Sequence, residues 1–163
     1  MNFIKQIIGF LSNKIISAES YYRINTYYKK IGGYGYRLGG EVRITHPENI
    51  SIGEGTYING GELCASTEAR ISIGCDCLIS YGFFARTDVH NYMSKDILIK
   101  YQGNSQFDIF IGDDVWIAAD VKVLAGVCIA DGCVICAGAI VTKDTEPYGV
   151  YAGIPAKKIK YRV

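Results

Sequence analysis

The residues best suited to proton transfer in this chain are its histidines, and there are only two, His46 and His90. An imidazole titrates near neutral pH, so a histidine can take a proton from an attacking hydroxyl. His90 lies in residues 86–108, two positions after Asp88, whose carboxylate is a candidate to orient the ring as in a catalytic dyad. His46 has no such motif around it and is interpreted as an exposed turn residue.

The small number of histidines also limits which metal sites are possible, because a zinc site with three histidine ligands cannot be assembled from one such chain. The six cysteines lack the paired C-x-x-C spacing of structural zinc sites, so no metal is predicted. A chain of 163 residues with 49% hydrophobic residues can bury a core without disulfides. The N-terminal sequence also lacks the pattern of a secretory signal, so we expect reduced, mostly buried thiols and a cytoplasmic protein.

The formal net charge of +1 conceals basic ends and an acidic centre. The basic ends are too small for a nucleic-acid footprint, so no nucleic-acid partner is expected. Residues 157–163 carry four basic side chains and no acidic one, which suits a compact anionic group such as a phosphate.

An aliphatic residue recurs every six positions from Ile111 to Val141. Six positions advance an α-helix by about 600° and scatter the side chains, whereas on a strand an even spacing keeps them on one face. Small residues such as Gly112, Gly126 and Gly132 lie between the aliphatic positions. The pattern predicts a chain that turns a corner after each short strand and stacks coil on coil around an aliphatic core.

The same signature begins earlier, at Ile52 and Ile73, with an insertion expected near residues 60–70. The period is then interrupted over residues 86–108, and a long excursion inside a repeat is typically functional or disordered. This excursion contains too much Ile, Leu and Tyr for simple disorder. The predicted organisation is an N-terminal helical cap at 1–40, a β-helix domain at 41–156 and a basic C-terminal tail at 157–163.

Residues 2–30 are predicted to include an amphipathic helix, because apolar residues such as Ile7 and Leu11 recur at helical spacing. One interpretation is that this helix covers the open end of the coil stack. The other is a membrane-surface role, supported by Lys5, Lys14 and paired tyrosines. Covering the stack is the favoured interpretation, and membrane association is the alternative.

The second half of the chain resembles a known family, through the stretch IGDDVWIAADVKVLAGVCIADGCVICAGAIVTKDTEPYGVYAGIPAKKIKYR. It is similar to the hexapeptide-repeat acyltransferases, above all the galactoside and maltose O-acetyltransferases and those of polysaccharide clusters. The resemblance covers about residues 50–162, and its most specific features are VTKD, AG-x-PAK and the basic end. It implies an all-β solenoid, a left-handed parallel β-helix with a short N-terminal helix and one long loop.

The function implied by the resemblance is transfer of an acetyl group from acetyl-CoA, as co-substrate, to a hydroxyl of a saccharide or glycoside in polysaccharide biosynthesis. The family works as a homotrimer with active sites between subunits. It has one histidine in the interrupting loop, which makes His90 the general base here, with Asp88 as its possible partner. Ala119 stands where the galactoside enzymes often have a hydroxyl residue for the oxyanion, so oxyanion stabilisation here must either use a backbone N–H or be weaker.

Further site residues follow from the same resemblance. Those implied to contact the cofactor are Trp116, Ala119, Ala137, Gly138, Thr142, Lys143, Lys157 and Lys160, with Arg162 as a further basic group. Those implied to contact the acceptor are Tyr57, Asn59 and Glu68.

Other functions stay open from the sequence. A xenobiotic O-acetyltransferase of the same fold would inactivate a hydroxylated antibiotic. A serine acetyltransferase would carry a larger helical N-terminal domain, and a γ-class carbonic anhydrase would need three histidines. A noncatalytic β-helix scaffold would bind no CoA and would not depend on His90.

Overall fold

The structure, a computed structural model, describes residues 2–163, with side chains from residue 5 onward. The chain forms a β-solenoid of about five turns, built mostly of parallel strands and preceded by one helix, α1 (Asn2–Tyr28). The strands are β1 (Arg37–Thr45), β2 (Ile50–Ile52), β3 (Tyr57–Cys64), β4 (Ile71–Ile73), β5 (Leu78–Ile79), β6 (Phe83–Arg86), β7 (Asp88–His90), β8 (Asn104–Gln106), β9 (Ile109–Ile111), β10 (Trp116–Ile117), β11 (Lys122–Val123), β12 (Cys128–Ile129), β13 (Val134–Ile135), β14 (Ile140–Val141), β15 (Gly149–Ala152) and β16 (Lys157–Tyr161). Short 3-10 turns occur at Pro47–Asn49 and Ile99–Tyr101.

The coils stack into a prism with three faces. The first face is the parallel sheet β2-β4-β9-β12. The second face contains the start of β3 with β5, β10, β13 and β15, and the third contains the end of β3 with β6, β11 and β14. Because β3 pairs with β5 through Ile58 and with β6 from Gly61, it bends between these residues and joins the two faces.

The period-six aliphatic residues are the core of this prism. Ile111, Ile117, Val123, Ile129, Ile135 and Val141 are all 0–3% exposed. Each such side chain taken out of water contributes roughly 1.5–3 kcal/mol, so the repeat that identified the strands also supplies the cohesion between coils. All six cysteines are free, but only Cys64, Cys77 and Cys133 are buried, so fewer thiols are buried than expected; Cys136 is half-buried and Cys75 and Cys128 are exposed.

Left-handed backbone turns the chain at the corners between faces. At the corner between the second and third faces, φ is 71° at Gly82, 58° at Asp120 and 70° at Gly138 in three successive coils. Glycine adopts this conformation without steric cost, and aspartate is one of the few other residues that tolerates it. The excess of glycine is therefore used to turn the chain, as the sequence predicted.

Both ends of the chain differ in detail from the expected boundaries. Ile31 is already buried, and Gly32 pairs with Ser51, so the first coil begins inside the segment assigned to the helical cap. Residues 157–161 of the expected tail form β16, antiparallel to β15. Helix α1 has 27 residues and is not short; only its C-terminal part packs on β1, through residues such as Ile24 and Tyr27.

Candidate active site

A small pocket on the second face unites residues predicted for two different roles. Trp116 is in register with Leu78, which is in turn in register with Tyr57, so the three side chains form one column across successive coils. They line a cavity of about 210 Å³ together with Asn59 and Ser80. The Tyr57 hydroxyl donates a hydrogen bond to Asn59 Oδ1 at 2.9 Å. The cavity therefore brings two predicted acceptor residues beside a predicted cofactor residue.

The corner next to this pocket is built from small residues, and we call Ala118–Asp120 and Cys136–Gly138 the small-residue corner. The two segments are joined by a hydrogen bond from the Gly138 N–H to the Ala119 carbonyl at 2.9 Å. A Cβ added at Gly138 would meet nothing within 4 Å. Ala137 and Gly138 are exposed, so the surface offered here is mainly backbone. That surface fits a pantetheine arm, which exchanges amide hydrogen bonds with backbone.

The predicted basic residues lie at the C-terminal end of the solenoid. Lys157 pairs with Ala152 in the β15–β16 hairpin, and Lys160 pairs with Val150. Both lysines are exposed, as are Thr142 and Lys143, which follow β14 at the corner between the third and first faces. The predicted cofactor residues thus lie on the second face, where Trp116 is, at two corners and at the C-terminal end of one chain.

Two basic side chains near the C-terminus, Lys158 in β16 and Arg162 just after it, bond to other residues of the protein. Lys158 Nζ donates to Glu146 Oε2 at 2.5 Å, and this bond lowers the pKa of the Glu146 carboxyl, with a further contribution from the Tyr161 hydroxyl. Arg162, considered above for phosphate binding, instead donates to Asp114 Oδ2 at 2.8 Å and to the Gly132 carbonyl at 2.9 Å. Arg162 therefore fastens the C-terminus to the solenoid.

His90 ends β7 in an ordered hairpin that projects from the corner between the third and first faces. Strand β7 pairs antiparallel with β8, placing His90 opposite Asn104. The Asn91 side chain donates to the Gln102 carbonyl at 3.1 Å and accepts from the Ser105 hydroxyl at 2.7 Å. The Gln102 amide closes the tip by donating to the carbonyls of Ser94 and Ile97 and accepting from the Ser94 N–H. The imidazole of His90 is exposed on this clamped hairpin.

Asp88 has a different partner from the one considered in the sequence. Its carboxylate accepts from Arg86 Nη1 at 3.2 Å, and among the described residues no hydrogen bond joins it to the His90 ring. Arg86 was missed by the sequence reasoning, as were Asn104 and Gln106, although strand alternation places Arg86, Asp88 and His90 on one face. A polar cavity of about 250 Å³ is lined by these groups, including Arg86, Asp88, Asn104, Gln106 and His46.

Glu68 and His46 lie apart from the Trp116 pocket. Glu68 is exposed at the corner after β3, where its backbone N–H donates to Gln106 Oε1 at 2.9 Å. Its side chain does not line the cavity that contains Tyr57. His46 is a partly exposed turn residue with a φ of 50°, and its Nδ1 lies 3.1 Å from Glu48 Oε1.

One chain does not bring all the predicted groups together. The His90 hairpin leaves from the corner between the third and first faces, whereas Tyr57, Asn59 and Trp116 lie on the second face. Within residues 2–163, no cluster of three or more His, Cys, Asp or Glu side chains is arranged to hold a metal ion. No helix in the same range is long and apolar enough to cross a membrane.

Comparison with known proteins gives this arrangement a context. The family model described as bacterial transferase hexapeptide (six repeats) matches residues 108–143. Comparison with curated protein sequences finds no match. A galactoside acetyltransferase solved in complex with coenzyme A is 30% identical, with 93% of this chain and 79% of that chain covered and a TM-score of 0.75.

Two other solved structures are similar. The maltose O-acetyltransferase from Clostridium difficile 630 is 27% identical over 81% of this chain and 69% of its own, with a TM-score of 0.71. A hexapeptide-repeat acetyltransferase from Vibrio cholerae is 21% identical over 91% of each chain, with a TM-score of 0.75, and supports the fold alone. The fold is that of the left-handed parallel β-helix.

Proposed function

Since this chain belongs to the hexapeptide-repeat acyltransferases, we propose that it transfers an acetyl group from acetyl-CoA to a hydroxyl of a saccharide or glycoside. The observation that carries the proposal is the Tyr57–Asn59–Trp116 cavity, whose Trp116 is separated from the small-residue corner by Ile117 alone. The acceptor and acetyl-CoA can therefore bind on neighbouring surfaces of the chain. The 30% identical galactoside acetyltransferase, solved with coenzyme A, supports both halves of this assignment.

The acceptor is held by polar groups suited to hydroxyls. The Asn59 amide and the Tyr57 hydroxyl already satisfy each other at 2.9 Å, so both are oriented before a ligand arrives. Each retains capacity for a further hydrogen bond, because a phenol also accepts and an amide also donates. The exposed Trp116 ring provides an apolar surface for the less polar side of a sugar ring.

His90 acts as the general base. Its imidazole takes the proton of the acceptor hydroxyl as that oxygen forms a bond to the thioester carbonyl carbon. When the tetrahedral intermediate collapses, the carbon–sulfur bond breaks and the same proton passes to the leaving thiolate. The product is an acetyl ester and free CoA, with no net change in the enzyme.

The oxyanion of the intermediate is stabilised by backbone. The Ala118 N–H donates to the Ile135 carbonyl at 2.9 Å and the Asp120 N–H to the Tyr81 carbonyl at 3.0 Å. Among the described hydrogen bonds the N–H of Ala119, between them, has no acceptor. This N–H is therefore the donor that replaces the absent side-chain hydroxyl, in the way that preorganised amides stabilise oxyanions elsewhere.

The site is completed by a second copy of the chain, in a homotrimer. His90 and the Trp116 pocket lie on different sides of one prism. The reaction requires both of them to contact the same acceptor molecule. In a cyclic trimer each subunit presents one side to its neighbour and the other side to the third copy. The His90 hairpin of one subunit then meets the second face of the next.

The direct test replaces each histidine in turn. We expect His90→Ala to lower kcat by at least about 10²-fold while the Kd for acetyl-CoA stays nearly unchanged. His46→Ala is the matched control, because it removes the other imidazole, whose ring bonds only to Glu48 among the described hydrogen bonds although it borders the cavity of Asp88, and it should leave kcat within about twofold of wild type. CoA release is measured against a panel of glycosides, nucleotide sugars and hydroxylated antibiotics. A rate unaffected by His90→Ala would remove this residue from the mechanism, and turnover of antibiotics alone would replace the saccharide by a xenobiotic.

A further inference from the structure

The N-terminal two thirds of α1 lie outside the packed body of the protein. Residues 5–19 are all exposed, the partly buried positions of α1 begin at Ser20, and Ile16 only lines the open groove between the helix and β1. In the last turn, the Tyr27 hydroxyl accepts from the Ile44 N–H at 3.0 Å, and the Tyr28 hydroxyl accepts from the Leu38 N–H at 2.9 Å. Packing on the end of the coil stack therefore accounts for the position of residues 20–28. It gives no role to the exposed N-terminal part of the helix.

The exposed part of the helix carries an apolar face that points away from the body. At about 100° per residue, Ser20, Ile24 and Tyr27 share the side that packs on the solenoid. The opposite side is formed by apolar residues that are 43–77% exposed: Ile7, Ile8, Leu11, Ile15 and Tyr22. An exposed helical segment of this length is marginal in water, and contiguous apolar surface of this kind marks an interaction site.

The width and charge of this face favour a lipid surface over a second helix. From Phe10 to Ile8 the apolar sector spans about 160°, wider than the seam of a two-stranded coiled coil. Lys14 lies inside the sector with its ammonium 4.7 Å from the centroid of the Phe10 ring. A lysine there can lie along an apolar surface and reach water at a lipid headgroup, whereas a protein interface would bury its charge.

The remaining charges of the helix are also complementary to anionic lipid. Lys5 and Lys14 form no ion pair among the described residues. The only acidic residue of α1, Glu19, is bound to Arg23 at 3.3 Å. Tyr21 and Tyr22 are 74% and 77% exposed, and tyrosine is enriched where membrane meets water.

We propose that α1 docks this protein on an anionic membrane surface, lying in the interface with its apolar face towards the acyl chains. This inference goes beyond the proposed acetyl transfer, and only its avidity rests on the proposed trimer. Cyclic symmetry would put three such helices at the same end of the assembly. Three weak contacts then act together, so the trimer binds a vesicle far more tightly than one helix does.

The test is flotation of the full-length protein with vesicles of phosphatidylcholine containing phosphatidylglycerol, and with vesicles of phosphatidylcholine alone. We expect binding to the anionic vesicles that weakens at high salt. Ile15→Glu, at a residue 67% exposed on the apolar face, should weaken that binding by at least about tenfold. Asn13→Glu adds the same charge on the polar face and should weaken it by no more than about threefold.

Acetyl-CoA binding and sedimentation are measured on the same samples, so that failure of docking is distinct from failure of the enzyme. Ile15 and Asn13 are both exposed, and neither lines the grooves between α1 and β1, so both variants should keep wild-type CoA affinity and assembly. Absence of wild-type binding to anionic vesicles at low salt would overturn the proposal. So would a change of oligomeric state in Ile15→Glu, which would assign the face to a second copy of the chain.

Discussion

Gly138 offers the sharpest test of where the donor lies. Its φ of 70° places an alanine there in the left-handed region, at a cost of about 1 kcal/mol to folding. The new methyl group would meet nothing within 4 Å in the protein, so packing adds no further cost. For a chain of this size the loss corresponds to a Tm lower by about 2–4 °C.

The effect of Gly138→Ala on binding should be larger than its effect on folding. If the pantetheine arm lies against the small-residue corner, the methyl group occupies its path and separates it from the backbone. Loss of one or two hydrogen bonds, at about 1 kcal/mol each, together with lost contact, raises the Kd for CoA by about tenfold to thirtyfold. Titration calorimetry with CoA measures this directly.

Gly103→Ala is the matched control for the backbone cost. Gly103 has a φ of 74°, and a Cβ added there would also meet nothing within 4 Å, but it lies in the hairpin between β7 and β8. Both variants should lose similar thermal stability, and only Gly138→Ala should lose CoA affinity. An unchanged Kd in Gly138→Ala, or equal losses in the two variants, would refute the placement of the arm at this corner.

Two further predictions concern the hairpin and the C-terminal strand. Gln102→Leu removes the hydrogen bonds to Ser94 and Ile97 that close the hairpin tip. We therefore expect kcat to fall about tenfold while the Kd for acetyl-CoA stays unchanged. A parallel rise in that Kd would show that Gln102 has a merely structural role. The bond from Lys158 holds the pKa of Glu146 below its usual range, so its stabilisation is present near neutral pH and is lost as the pH falls below about 4. Glu146→Gln should therefore show a shallower loss of Tm between about pH 5 and pH 3 than wild type, and identical acid profiles would exclude this contribution.

The solenoid could be predicted because its signal is local and repeated. Each aliphatic residue of the period-six series is buried, and each corner needs a residue that accepts left-handed backbone, so the pattern appears in every coil. The start of the first coil was placed too late, since Ile31 and Gly32 precede the first recognisable repeat. Gly32 can be assigned to the solenoid only from its backbone pairing with Ser51, which the structure shows and the sequence does not.

The candidate site was harder to predict because its contacts are not local. The family resemblance identified Trp116, Tyr57 and Asn59, but their meeting in one cavity depends on the register between coils. Strand alternation could have predicted the ion pair between Arg86 and Asp88, but from the sequence only His90 was considered as a partner of Asp88. The Gln102 side chain closes the hairpin tip by hydrogen bonds that form only once the loop has folded back on itself. No residue spacing in the sequence predicts these bonds.

Mixed trimers test the central claim most directly, namely that acetyl transfer uses His90 of one subunit and the acceptor pocket of its neighbour. His90→Ala is co-expressed in equal amounts with a double variant carrying Tyr57→Ala and Asn59→Ala, each being nearly inactive alone. With random assembly about a quarter of the interfaces pair an intact His90 with an intact pocket, so the rate of CoA release should recover to about a quarter of wild type. Activity no higher than the sum of the two separate variants would contradict the account and place the reaction within a single chain.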